Sequence, residues 1–421
     1  MKTFILKTLG CKQNQFEGQV IQNELINLGY TAVEDIKQAD IYILNSCTVT
    51  SSSDSTAHYL LNQAKRLNPD IKTVLTGCIA QTHKQHESFN FSDIDLILGN
   101  SEKMNIGKYL DDFNKEKIQV KDIFSVKNFE NKFLINPKTT RVSIKIQDGC
   151  NNRCSYCIIP YARGNSRSNS LENILQQINM TASNNIKEIV LTGIHIGQWG
   201  LDINKTFLDL LKAIEVSPIH RYRLGSLYIN ELDDDIISYL KNSKKFCPHF
   251  HLSLQSLCNK TLKAMNRSYT SEDALEVIEK LHKNFDMPYL ASDIIVGFPD
   301  ETEEDFIETY NNLKNAKLSS IHCFPYSRRE NTPAYDMKNQ IQDKIKTNRV
   351  EKIMELSKQL HYEFLKNNKN RHEEILIQKK SLKTGLYSAV TRNYIKIHFK
   401  SDDNNLRHSL KNIYLGDYEL E

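Results

Sequence analysis

At 421 residues the chain exceeds one ordinary hydrophobic core, and two or three domains are expected. With 39% hydrophobic residues, no apolar run near ~18 residues and no basic-then-apolar N-terminal signal, a membrane span or secretory route is not expected, and the reading is a cytoplasmic protein. The net charge of +4 permits an RNA partner without demanding one. A reducing compartment argues against a disulfide framework for the nine cysteines. Six of them fall into two sets of three, while Cys247, Cys258 and Cys323 sit in or beside apolar runs and read as buried thiols.

Residues 1–110 alternate short β-type runs (3–9, 41–45, 73–76, 95–98) with helical patterns at 17–28 and 55–67. This predicts a parallel α/β domain. Three runs end in a cysteine, as Leu9-Gly10-Cys11, Asn45-Ser46-Cys47 and Thr76-Gly77-Cys78. Parallel strands share one carboxyl edge, so these distant residues are expected to converge. Each alone would read as a core thiol; the repeated placement favours a shared ligand set.

Residues 111–140, rich in Lys, Asn and Asp, read as a connector. Strand–helix alternation then resumes over 141–366, with strands at 142–146, 188–192, 222–224, 249–254, 292–297 and 320–324. Six parallel units predict a partial (β/α)6 barrel with its active site at the strands' carboxyl ends and a long helix packed along it. Directly after the first strand stands Asp148-Gly149-Cys150-Asn151-Asn152-Arg153-Cys154-Ser155-Tyr156-Cys157. Three thiolates on one tight loop can hold three irons of a cubane cluster, leaving the fourth iron open to a chelating amine and carboxylate. Zinc, the alternative, wants four ligands, usually as two C-x2-C pairs, and no second pair or His pair stands at a suitable distance.

Other strand ends offer Gly193, where backbone can approach a ligand or simply turn, and the polar pair Gln255 and Ser256. Asp293 and Gly297 stand in Asp293-Ile294-Ile295-Val296-Gly297-Phe298-Pro299-Asp300-Glu301. Arg163 and Arg167 follow the cysteine loop and suit a carboxylate or phosphate, or a solvated loop. Residues 367–421 show short strands separated by polar turns and suggest a small β-barrel. Its Arg371, Lys379, Lys380, Tyr387, Arg392, Tyr394, Lys396 and Phe399 suit single-stranded or loop RNA, or merely decorate the barrel. No phosphate loop, HExxH pair or GxSxG elbow is present, so nucleotide hydrolysis, zinc proteolysis and esterase chemistry lack support.

From Ile146 through the three cysteines to Gly164 the chain resembles the radical S-adenosylmethionine (SAM) methylthiotransferases, and the resemblance runs through nearly the whole length. It implies a flavodoxin-like N-terminal domain whose Cys11, Cys47 and Cys78 hold a second [4Fe–4S] cluster, and a radical-SAM barrel whose Cys150, Cys154 and Cys157 hold the catalytic one. It also implies SAM contacts at Gly193, Gln255, Ser256, Asp293 and Gly297, and a TRAM-like RNA-binding barrel at the C-terminus. In that family one SAM methylates sulfur at the N-terminal cluster and a second yields a 5′-deoxyadenosyl radical. The electron comes from an external donor such as a flavodoxin or ferredoxin. Cys47-Thr48-Val49-Thr50 and Cys11-Lys12-Gln13-Asn14 resemble the members that modify threonylcarbamoyladenosine in the tRNA anticodon stem-loop. Other members modify isopentenyladenosine or a ribosomal protein. An iron–sulfur RNA-binding regulator without catalysis, and a radical enzyme using the N-terminal cluster only as an electron relay, are the readings from other classes.

Overall fold

The computed structural model describes residues 2–85, 89–111, 113, 116–134 and 139–421, so the expected connector lies partly outside the described residues. Its N-terminal part is a parallel sheet of β1 (Thr3–Thr8), β2 (Thr31–Ala32), β3 (Ile41–Ser46), β4 (Lys72–Gly77), β5 (Leu96–Leu98) and β6 (Ile118–Gln119), ordered β2-β1-β3-β4-β5-β6. The first five follow the flavodoxin-like order. Strand β6 falls inside the expected connector: a two-residue strand has no periodicity to read, yet it pairs in parallel with β5. Helices α1 (Lys12–Asn27) and α2 (Ser51–Leu67) cover the sheet, and the short α3 (Cys78–Gln81) follows β4 directly.

The central wall runs β7 (Arg141–Lys145), then, past a small antiparallel ribbon of β8 (Gln147–Asp148) and β9 (Arg167–Ser168), β10 (Glu188–Thr192), β11 (Arg221–Leu224), β12 (Ser226–Leu227), β13 (His249–Gln255), β14 (Tyr289–Val296) and β15 (Ser320–Pro325). All wall pairings are parallel, in the orders β11-β10-β7 and β12-β13-β14-β15. Strands β11 and β12 are one path interrupted at Gly225, so the wall holds the six expected strand positions. Helix α4 (Ile159–Arg163) follows the cysteine loop. Outside the wall pack α5 (Leu171–Ser183), α6 (Phe207–Glu215), α7 (Asp234–Asn242), α8 (Asn259–Ala264), α9 (Ser271–Asn284), α10 (Glu303–Asn315) and the long α11 (Asp343–Asn368). Their apolar stripes meet Leu252, Ile294, Ile321 and their neighbours in one core, which Phe16 and Val20 of α1 also enter. The N-terminal part is therefore seated on the barrel through apolar burial.

At the C-terminus β16 (His372–Lys380), β17 (Tyr387–Thr391), β18 (Lys396–Phe399) and β19 (Leu410–Tyr414) form an antiparallel sheet ordered β18-β17-β16-β19. The chain end closes it, Leu420 bridging to Ile397. Part of the expected RNA-facing set is spent on structure. Tyr387 is buried and donates to the Asp403 carbonyl (2.9 Å), Arg392 donates to the Phe246 carbonyl (2.6 Å), and Tyr394 packs on His249 with ring centroids 4.3 Å apart. Lys379 and Lys396 are exposed. Among the described residues no helix is long and apolar enough to cross a membrane.

Candidate active site

The three strand ends of the N-terminal sheet converge as alternation predicted. Cys11 is the extended N-cap residue of α1, Cys47 follows β3, and Cys78 opens α3. Gly10 has φ +89°, and a Cβ there would lie 2.6 Å from the Cys47 Cβ, so the first two ends touch because residue 10 has no side chain. Asn14 ties them further, its amide donating to the carbonyls of Leu9 (2.6 Å), Asn45 (3.2 Å) and Ser46 (3.1 Å). Burial and the neighbouring Cys78 thiol push the Cys47 thiol up to about 12. Cys78 is buried as well, while Cys11 is exposed, and a thiol as buried as Cys47 ionises only with a compensating metal centre.

The second triad lies on the loop after β8. Gly149 has φ +73° and packs against the Asn165 carbonyl, and the Cys150 amide donates to the Gly164 carbonyl (3.0 Å). Cys150 and Cys154 are buried and Cys157 half-buried. Burial pushes the Cys150 thiol up to about 11 and the Cys157 thiol to about 12. Arg267 donates to the Cys154 sulfur (3.4 Å) and lies 4.1 Å over the Tyr228 ring. His195 stacks on the other partner of that group, its ring 4.1 Å from Tyr228, with Nδ1 3.6 Å from the Cys150 sulfur and Nε2 paired with Glu231. Hydrogen bonds and a cation at the sulfurs are the levers by which a protein tunes a cluster's potential. Sequence reasoning missed His195, Tyr228, Glu231 and Arg267; their one signal is position in loops at the barrel's carboxyl face.

Both triads fit cubane clusters better than single ions. Zinc at about 2.3 Å from each sulfur brings its thiolates within ~4 Å of one another. Among the described residues the three-donor set whose atoms all lie within 4.8 Å is His251, Asp293 and His322, not either cysteine triad. Three thiolate donors in each set suit three irons of a cubane, the fourth iron then being free of a cysteine.

A buried charge network joins the two triads. Arg163 grips Glu17 with both Nη atoms (2.6 and 2.9 Å), Lys145 reaches Glu17 (2.6 Å) and Asp148 (2.7 Å), and Lys103 reaches Glu17 (2.5 Å) and Asn14 (3.2 Å). Gln13 donates to Asp148 (2.6 Å), which also takes the Gly149 amide (2.8 Å). Residues two to six beyond Cys11 thus hold the residues just before Cys150. Burial alone would raise the Glu17 carboxyl, but Arg163, Lys103 and Lys145 hold it well below the usual range. Removing one member of a buried ion group costs about 3–5 kcal/mol, because the rest stay desolvated and unpaired. Glu17→Gln should therefore lower stability by about that amount, read as a fall in the urea midpoint; an unchanged midpoint would show the network to be dispensable.

The expected SAM-contacting residues divide. Gly193 approaches the Gln147 carbonyl so closely that a Cβ would lie 3.0 Å from it. Gln255 ends β13 in a left-handed conformation (φ +65°), half-buried. Ser256 has spent its hydroxyl, which meets Thr309 Oγ1 (3.1 Å) and accepts from the Cys258 amide (3.2 Å), leaving only its backbone. Asp293 lies between His251 (3.0 Å) and His322 (3.4 Å), and despite burial these partners hold its carboxyl below the usual range. The Gly297 amide donates to Glu301, which Arg349 anchors (2.6 Å).

A parallel partial barrel bearing a three-cysteine loop at its carboxyl face, with a cysteine-edged flavodoxin-like sheet seated on it, defines a radical-SAM enzyme with a second cluster site. Residues 144–313 match the Radical SAM superfamily, and residues 3–99 match the uncharacterized protein family UPF0004. The fold is shared with the radical S-adenosylmethionine methyltransferase TsrM from Kitasatospora setae, with a TM-score of 0.59 and 14% identity, covering 80% of this chain and 77% of that one. The chain is 38% identical over 398 residues, 93% of its length, to the threonylcarbamoyladenosine tRNA methylthiotransferase MtaB of Aquifex aeolicus, and spans 95% of that protein. Identity is 37% to the MtaB of Bacillus subtilis, covering 96% of this chain and 91% of that one. To the tRNA-2-methylthio-N(6)-dimethylallyladenosine synthase of Clostridium tetani it is 34%, covering 89% and 84%. The chain belongs to the radical-SAM tRNA methylthiotransferase family, whose cofactors are SAM and [4Fe–4S] clusters.

Proposed function

We propose that this chain adds a methylthio group to C2 of N6-threonylcarbamoyladenosine beside the anticodon of tRNA. The observation that carries the reading is the pairing of two cysteine triads across the buried Glu17 network, since a sulfur-bearing centre and a radical source must both reach one substrate carbon. The substrate choice is supported by identity: 38% and 37% to two relatives named for threonylcarbamoyladenosine, with two more so named at 34% and 33%, beside 32% and 34% to two named for dimethylallyladenosine.

In this reading Cys150, Cys154 and Cys157 hold the cluster that binds SAM, with Gly193, Gln255, Asp293 and Gly297 lining its approach, and Cys11, Cys47 and Cys78 hold the other. When bound, SAM supplies a 5′-deoxyadenosyl radical after one-electron reduction, and the second cluster carries the sulfur. Arg267 and His195 orient the sulfurs of Cys154 and Cys150, while Glu17 and Arg163 hold the two loops in register. The N-terminal domain runs to Gln119, where β6 completes its sheet, a connector follows to 140, and the domains 141–366 and 367–421 come after it, the last meeting the RNA stem-loop with exposed Lys379 and Lys396. A flavodoxin or ferredoxin gives the electron in the cytoplasm.

Mass spectrometry of tRNA nucleosides from cells lacking the gene tests the substrate. Loss of methylthio-threonylcarbamoyladenosine with accumulation of its unmethylthiolated precursor, restored by complementation, is the expected result. An unchanged profile would move the target to a ribosomal protein or another radical reaction.

A further inference from the structure

A groove of about 580 Å³ opens at the seam between the N-terminal sheet and the barrel's carboxyl face. Ser51, Ser55 and Asn62 of α2 form one wall, and Arg328 and Tyr335, from the segment after β15, form the other. Ile158, next in sequence to Cys157, also lines it. The two walls are pinned to each other beside Cys47. Buried Arg329 donates to Thr48, the neighbour of Cys47 (2.8 Å), and pairs with Asp54 of α2, while the Ser51 amide donates to Ser327 Oγ (3.0 Å). The groove is thus held open between residues that adjoin one cysteine of each triad.

The two arginines of this seam differ in what they hold. Arg329 spends its charge on Asp54. Arg328 is exposed, its Nε donating to the Tyr335 carbonyl (2.7 Å) and its guanidinium lying 4.1 Å from the centre of the Tyr335 ring. Those two contacts fix the group in place but bring no negative charge to it. Among the described residues Arg328 makes no ion pair, and neither Asp54 nor Glu330, the acids of the lining, pairs with it. A guanidinium held in one orientation with both Nη groups unspent presents a fork that matches a planar carboxylate.

We propose that this groove receives the threonylcarbamoyl substituent of the substrate adenosine, and that Arg328 is the specificity-determining residue that binds its carboxylate. The inference rests on the substrate reading above and deepens it. The radical and the sulfur must meet at one purine carbon, so the base lies between the two triads, and its N6 substituent leaves from an adjoining ring edge. The groove opens beside both triads and is polar. A threonylcarbamoyl tail brings a urea, a hydroxyl and a carboxylate, which the Ser51 and Ser55 hydroxyls, the Asn62 amide and Arg328 answer in kind. An isopentenyl tail would strip water from the same groups and return no hydrogen bond to any of them, which costs free energy at each.

The test uses cluster-loaded enzyme and synthetic anticodon stem-loops bearing threonylcarbamoyladenosine or its threonine amide. Wild type should prefer the acid. Arg328→Met should lose about 10- to 100-fold in kcat/KM on the acid and change little on the amide, while Arg328→Lys keeps part of the preference. The acid-to-amide ratio is independent of how much protein is folded and carries clusters. An unchanged ratio in Arg328→Met overturns the inference, whether both loops suffer equally, as for an RNA phosphate contact, or neither suffers. Ser55→Trp, at an exposed position of α2, fills the groove instead. It should weaken binding of both modified loops by about tenfold, read by fluorescence anisotropy, and leave a loop with unmodified adenosine unchanged. Equal weakening of all three loops, or of none, overturns the placement of the tail. A wild type active only on an isopentenyladenosine loop overturns the substrate reading itself, and this inference with it.

Discussion

Cys154→Ala abolishes the reductive cleavage of SAM: 5′-deoxyadenosine is expected to fall to the background of protein-free controls, with iron dropping from about eight to about four per chain as one of two cubanes is lost. The loop's shape does not depend on this sulfur. Its turn is closed by the Cys157 amide on the Cys154 carbonyl (3.0 Å), and Ser155 pins it to the barrel through the Met265 and Ala264 carbonyls (3.1 and 2.7 Å). Alanine keeps the Cβ and deletes one buried thiol, a change costing on the order of 1 kcal/mol in stability. What it removes is the thiolate that accepts from Arg267, and two cysteines cannot occupy three corners of a cubane. Chromatography of the nucleoside products with iron analysis decides the matter; deoxyadenosine formation at wild-type rates would sink the assignment of this triad.

The gathering of six cysteines into two sets was legible because it is written in short spacings and in a repeated strand-end position. The wall was legible from alternation. The features that join them were not, because they are long-range and polar. Glu17 and Arg163 are 146 residues apart, and Gln13 and Asp148 are 135 apart. No local pattern marks such partners. The same network explains why α1 begins at Lys12 and not near Glu17, where apolar periodicity begins: Gln13 and Asn14 are polar yet buried, because their partners lie on the barrel and on the neighbouring strand ends. A polar helical face reads as solvent-facing when its partners are out of view. Ser256 and Tyr394 fail in the same way. A polar side chain at a strand end suggests a ligand, and an aromatic among basic residues suggests RNA, yet Ser256 is satisfied by Thr309 and Tyr394 closes the barrel's foot against His249.

Cys47→Ala separates the two triads. It should keep 5′-deoxyadenosine formation within about threefold of wild type while methylthiolated RNA falls by more than about 100-fold, since a lost centre removes a reactant and not merely a contact. The substitution is mild in packing: the Cys47 Cβ on which Gly10 rests remains, and Asn14 still ties the strand ends through three carbonyls. The network that holds the barrel loop runs through Glu17, Arg163, Lys145 and Asp148 and includes no cysteine sulfur, so the Cys150 loop keeps its anchoring. Methanethiol released by acid from SAM-treated protein without RNA should disappear in parallel, because the variant has nowhere to hold a methylated sulfur. Equal loss of deoxyadenosine and product would contradict the division of labour and favour the N-terminal triad as an electron relay, in which both readouts depend on the same path.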